Sequence, residues 1–101
     1  MFDQKVLDTV ETLNTTDDMY NCCTKYVEES KQLTGLDWYK QQVEYCEIHY
    51  LFRKKQYEGS GVTHGLFFDA YYEPMIDAFH RLLQARDNLM DFCEKNHISA
   101  V

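Results

Sequence analysis

Four histidines, four cysteines and seventeen carboxylates are the side chains of this 101-residue sequence that could do chemistry. Asp77 and His80 stand at the i, i+3 spacing by which ferritin-like helical bundles present a carboxylate and an imidazole to a metal ion. Such a centre also needs carboxylates and a second carboxylate–histidine pair from other helices, and only Glu44, Glu47 and His49 stand in reserve. Glu47 and His49 are two positions apart, so on a helix they point to different sides. A small metal-binding or redox helical bundle is thus the alternative reading, and the sequence is expected to hold no metal and no cofactor.

Nucleophilic catalysis has less to build on. Cys22, Cys23, Cys46 and Cys93 all fall on or beside apolar stripes, where a thiol behaves as a small hydrophobe. Cys22 and Cys23 are adjacent, no pair forms a C-x-x-C, and no repeating framework suggests disulfides or a zinc ribbon. Gly59-Ser60-Gly61 has a superficial likeness to a phosphate loop but lacks a strand before it and a lysine after it. His64, in the glycine-containing segment, is the one histidine expected to move freely. The chain is therefore read as no enzyme.

Two patterns remain. Asp69, Glu73, Asp77, Asp87, Asp91 and Glu94, with His80 and Gln84 between them, follow steps of three or four and include no apolar residue. On one continuous helix they line a single acidic edge. An amphipathic helix ordinarily has a solvated face of this kind, but only Arg81 and Arg86 lie nearby to neutralise it. A basic partner could dock there, the carboxylates standing in for phosphates on a surface that binds nucleic acid.

The second pattern is aromatic, since ten of the fifteen aromatic residues fall between Trp38 and Tyr72. At 100° per residue, Tyr39, Val43, Cys46, Tyr50 and Tyr57 share one face of the third helical segment, and Trp38, Tyr45, Ile48 and Phe52 share another. Together they exceed the apolar stripe of about 100° that covers a core on one side. Either the helix lies centrally among its own neighbours, or one face meets a partner, where tyrosine and tryptophan combine apolar area with a polar end. The expectation set on Trp38, Tyr45, Ile48 and Phe52 is contact with a partner protein or self-association, with a homodimer the expected state.

The elements that must carry these residues are helical. Phe2, Val6, Val10 and Leu13 predict a short first helix ending near Asn14. Thr15 or Thr16 caps a second, with Asp17 and Asp18 in its first turn, an apolar stripe from Met19 to Leu33, and Gly35 as its C′ residue. Asp37 caps a third from Trp38 to about Tyr57, whose C-terminal end carries the chain's only basic cluster, Arg53, Lys54 and Lys55. Residues 58 to 65 form the one clear loop. The last helix places Met75, Ala78, Phe79, Leu82, Ala85, Leu89, Phe92 and Cys93 on one face. Pro74 makes Leu66 to Glu73 either a separate short helix or the kinked start of a long one. The fold class is all-α: a compact bundle of four helices, or five, in one domain over residues 1–101.

A formal charge of −7 opposes direct binding to nucleic acid or to an anionic membrane. No apolar run approaches the roughly 20 residues that span a bilayer, and the first residues hold no secretory h-region, so the cytoplasm is the expected compartment. The function expected is that of a noncatalytic acidic helical protein that binds or blocks another protein, one with a basic surface. By analogy of type alone, with no motif behind it, this suits inhibitors from phages or mobile elements acting in a host cytoplasm on nucleic-acid-binding surfaces.

Overall fold

The fold begins with two short helices, the second of them capped by a hydroxyl and a carboxylate. The structure, a computed structural model, describes residues 2–61, 65 and 68–98. Helix α1, Gln4–Glu11, buries Val6 and Val10, and Leu13 just beyond its end joins them. Thr15 then caps α2, Thr16–Ser30, through a reciprocal capping box. The Thr15 hydroxyl accepts from the Asp18 backbone N–H at 3.1 Å. The Asp18 carboxylate accepts from the N–H groups of Asn14 and Thr15 at 2.9 and 3.0 Å. Those two bonds hold the Asp18 carboxyl below its usual range. Met19 is the buried residue of α2, with Cys22, Cys23 and Tyr26 half-buried.

Helix α3, Gly35–Ser60, is longer at both ends than the apolar pattern predicts. Gly35 does not serve α2 as a C′ residue, because α2 stops at Ser30. It takes a left-handed φ of +61° and opens α3, with Thr34 at the N-cap and Asp37 in the first turn. The far end runs through Glu58, Gly59 and Ser60 before Gly61, at φ +70°, turns the chain out. A glycine there escapes the Cβ clash that left-handed backbone imposes on other residues. The helix therefore extends three residues into the expected loop, and 26 residues give it about 39 Å.

Helix α4, Phe68–Lys95, runs as one element through Pro74. Proline can donate no hydrogen bond to the carbonyl of Ala70, and its place in the second turn confines that loss to the beginning of the helix. Residues 68–73 belong to this helix, so four helices and no strand make up the described residues; Leu66 lies outside them. The C-terminus closes with a Schellman motif. Ile98 N–H donates to Cys93 O at 2.8 Å, His97 N–H donates to Glu94 O at 3.3 Å, and His97 itself is left-handed at φ +56°.

Helix α3 is the axis of the molecule. The other three helices pack on it, and α1 and α2 meet through the core they share against it. The two faces read from the sequence lie about 145° apart round α3 at 100° per residue. Ile48 and Phe52 on one face form a core with Val6, Val10, Leu13 and Met19, flanked by Cys22, Tyr26 and Tyr45. The opposite face meets α4 in ring pairs: Tyr39 on Phe92 at 4.6 Å, Tyr50 on Phe79 at 5.3 Å, and Tyr57 on Tyr72 at 5.6 Å. Ala78, Leu82, Ala85 and Cys93 are buried along this contact. The result is an all-helical stack of three layers, 48 × 23 × 21 Å, consistent with a bundle of four helices.

Polar links fasten the layers. Lys5 pairs with Glu44 at 3.0 Å between α1 and α3, and Arg86 pairs with Glu47 at 3.3 Å between α4 and α3. Lys55 reaches from α3 to the end of α1, donating to Leu13 O at 2.9 Å, Val10 O at 3.3 Å and Asn14 Oδ1 at 3.3 Å. The basic cluster thus lies inside α3, and its lysine closes a neighbouring helix rather than its own.

Candidate interaction surface

Continuity of α4 settles the geometry of the acidic edge. Asp69, Glu73, Asp77, Asp87, Asp91 and Glu94 are all exposed, and they occupy one arc of about 100° over roughly 38 Å of helix. Lys95, which the sequence reading overlooked as a counter-charge, pairs with Asp91 at 3.0 Å. Asp91 is the one member with an ion-pair partner among the described residues. Arg86 is committed to Glu47, so it does little to offset the line.

The aromatic face divides. Ile48 and Phe52 are 0% and 1% exposed within the chain's own core, so in this fold they have no surface to offer a second copy. Tyr45 is half-buried against Tyr26 at 5.6 Å, and burial pushes its phenol up. Trp38 is 37% exposed and lies edge-on to Tyr39 at 5.0 Å. It stands on a ridge between two shallow grooves, one towards Tyr26, Val27 and Tyr45 of the α2 side, the other towards Cys46, Arg81 and Gln84 of the α4 side. The ring surface that suggested a dimer is largely consumed by α1, α2 and α4.

The residues of the metal reading are dispersed. Asp77 and His80 are exposed on the outer edge of α4. Glu44 is engaged by Lys5 and Glu47 by Arg86. His49 accepts from Arg53 Nε at 3.3 Å, and its pKa falls to about 4 through burial, then through the charges of Arg53 and Arg81. Among the described residues no three of these side chain types gather as a metal site would require. Burial raises the thiols of Cys22 and Cys46, the opposite of what activates a nucleophile. Gly59 and Ser60 are helical, so they form no phosphate cradle; His64 lies outside the described residues.

One feature of α4 escaped a reading based on a single apolar stripe. Tyr72, Leu83 and Met90 are 36, 41 and 62% exposed. They share an arc of about 20° between the core row and the acidic edge. The signal was available in the spacing of 72, 76, 79, 83 and 90, which repeats by sevens. Among the described residues no helix is long and apolar enough to cross a membrane. Compared with protein-family models, with curated proteins and with solved structures, the chain matches none.

Proposed function

We propose that this is a noncatalytic interaction protein whose docking surface is the acidic edge of α4, and whose partner is a protein with a basic surface. The observation behind this reading is the row of six exposed carboxylates along one helix, two groups of three separated by His80 and Gln84, in a chain of charge −7. Such a line sets up a one-signed field that steers oppositely charged partners and repels nucleic acid and anionic membrane. A nucleic-acid-binding surface is one basic surface it fits, and occupying it would make the protein an inhibitor of the mobile-element type.

The test is reversal of Asp87, Asp91 and Glu94 to lysine. Each reversal adds two charges, so the formal total moves from −7 to about −1. The core row is untouched and helicity by circular dichroism should persist. Partners captured from the native host by the wild type at low salt should be lost by the variant and by the wild type at high salt, where screening shortens the Debye length from about 10 Å at 0.1 M to about 3 Å at 1 M. Capture indifferent to both would reduce the carboxylates to a solvated helix face.

A further inference from the structure

The acidic edge does not stand alone on α4. Beside it runs a seam in which Tyr72, Ile76, Phe79, Leu83, Arg86 and Met90 alternate steps of four and three. That alternation is the heptad spacing by which one helix receives another. Leu83 and Met90 are the most open members of the seam. Ile76 and Phe79 are half-buried, and the Phe2 ring touches the middle, 5.7 Å from the Arg86 guanidinium. Tyr72 and Phe79 at its inner margin meet Tyr57 and Tyr50 of α3, whereas among the described residues no second helix covers Leu83 and Met90.

Its two flanks differ. On one side lies the core row of Met75, Leu82 and Leu89; on the other, Glu73, His80, Asp87 and Glu94 occupy the flanking heptad position, with Asp77 and Asp91 behind them. In a helix pair, flanking positions choose the partner by charge. An antiparallel second copy would lay carboxylates against carboxylates. A parallel copy would lay them against the apolar core row. Both arrangements leave the negative line unanswered, whereas a helix carrying lysine or arginine beside its apolar seam answers it along its length.

From this we infer that α4 receives an amphipathic basic helix of the partner, seated on Tyr72, Leu83 and Met90 with its cations against Glu73, Asp87, Asp91 and Glu94. This rests on the docking role proposed above and specifies the partner's shape: a helix, not any basic patch.

The probe is a synthetic heptad peptide with leucine along its seam and lysine on its flanks, compared with a scrambled peptide of identical composition. Binding is followed by fluorescence anisotropy at low and high salt, with the wild type, the Leu83→Ser/Met90→Ser double variant and the Asp87, Asp91 and Glu94 reversals. Both altered seam residues are exposed, so circular dichroism should show an unchanged fold. The wild type should favour the patterned peptide over the scrambled one by about tenfold, roughly 1.4 kcal/mol. The serine variant should lose that preference while still binding both peptides by charge. Equal binding of the two peptides to the wild type, lost on charge reversal, would overturn the helix seam and leave the acidic docking surface standing. No salt-dependent binding of either peptide would overturn both. If the wild type instead dimerises by light scattering and the serine variant does not, the occupant is a second copy and the basic helix is wrong.

Discussion

Phe52→Ala discriminates sharply between a ring that holds the chain together and a ring that meets a partner. Phe52 is 1% exposed and packs among Val6, Val10, Leu13, Met19 and Ile48, residues from three different helices. Truncating a buried phenylalanine removes its transfer free energy and leaves a cavity, a combined cost of about 3–5 kcal/mol. A domain of this size has a total stability of about 5–15 kcal/mol, so the loss is a large share of the whole. At about 4–8 °C per kcal/mol the melting temperature should fall by at least about 12 °C. Urea unfolding followed by circular dichroism measures it directly. Should Phe52→Ala fail to fold, Phe52→Leu keeps most of the volume and should cost under about 1.5 kcal/mol. Trp38→Ala, at the surface, should leave stability nearly unchanged and lower any dimer fraction seen by light scattering at about 100 μM, where weak association becomes visible. A Phe52→Ala protein as stable as the wild type but unable to self-associate would refute the central packing of α3.

Further expectations follow from the polar links. Lys55→Met leaves the carbonyls of Val10 and Leu13 without their ammonium and should cost about 1 kcal/mol in urea unfolding, with an unchanged m value. Thr15→Ala removes the N-cap of α2 and should likewise cost about 1 kcal/mol. His49 has a pKa near 4 when folded, against 6.5 in its ordinary state. Above pH 6.5 the imidazole is neutral folded or unfolded, and its full contribution to stability is present. As pH falls below 6.5 the unfolded chain takes up a proton that the folded chain refuses, so stability declines towards pH 4. His49→Gln should flatten this slope between pH 6.5 and 5, and an unaltered slope would remove His49 as its source.

The fold was legible where a signal is local and repeats. The stripe of Val6, Val10 and Leu13, a threonine cap at Thr15 or Thr16 and the periodicity from Ala78 to Cys93 each name their own helix. Both faces of α3 were also legible, but what covers them was not. A hydrophobic ring of residues on a helix surface looks the same whether the covering side chain is Met19 of the same chain or a foreign residue. Helix ends failed for a different reason. Gly35 and Gly61 both take left-handed backbone, yet one opens a helix and the other closes one. Composition marks the need for such a glycine without saying which side of it is helical. The task of Lys55 depended on a contact across more than forty residues, which no spacing rule carries. For the candidate surface, the acidic line was visible in full, whereas Leu83 and Met90 stand beside the stronger core stripe of α4, which masks the weaker seam.

The layering round α3 has a consequence for how the molecule opens. The α3–α4 pair joins neighbours in sequence, and α1 and α2 reach α3 without touching α4. Detaching the first two helices exposes Ile48 and Phe52 but leaves every ring pair of the α3–α4 contact in place. Amide exchange should then fall into two cooperative classes, the amides of α1 and α2 released together at a lower free energy than those in the middle of α3 and α4. The α3–α4 contact is the most extensive between helices among the described residues, so the N-terminal third is the part that leaves first.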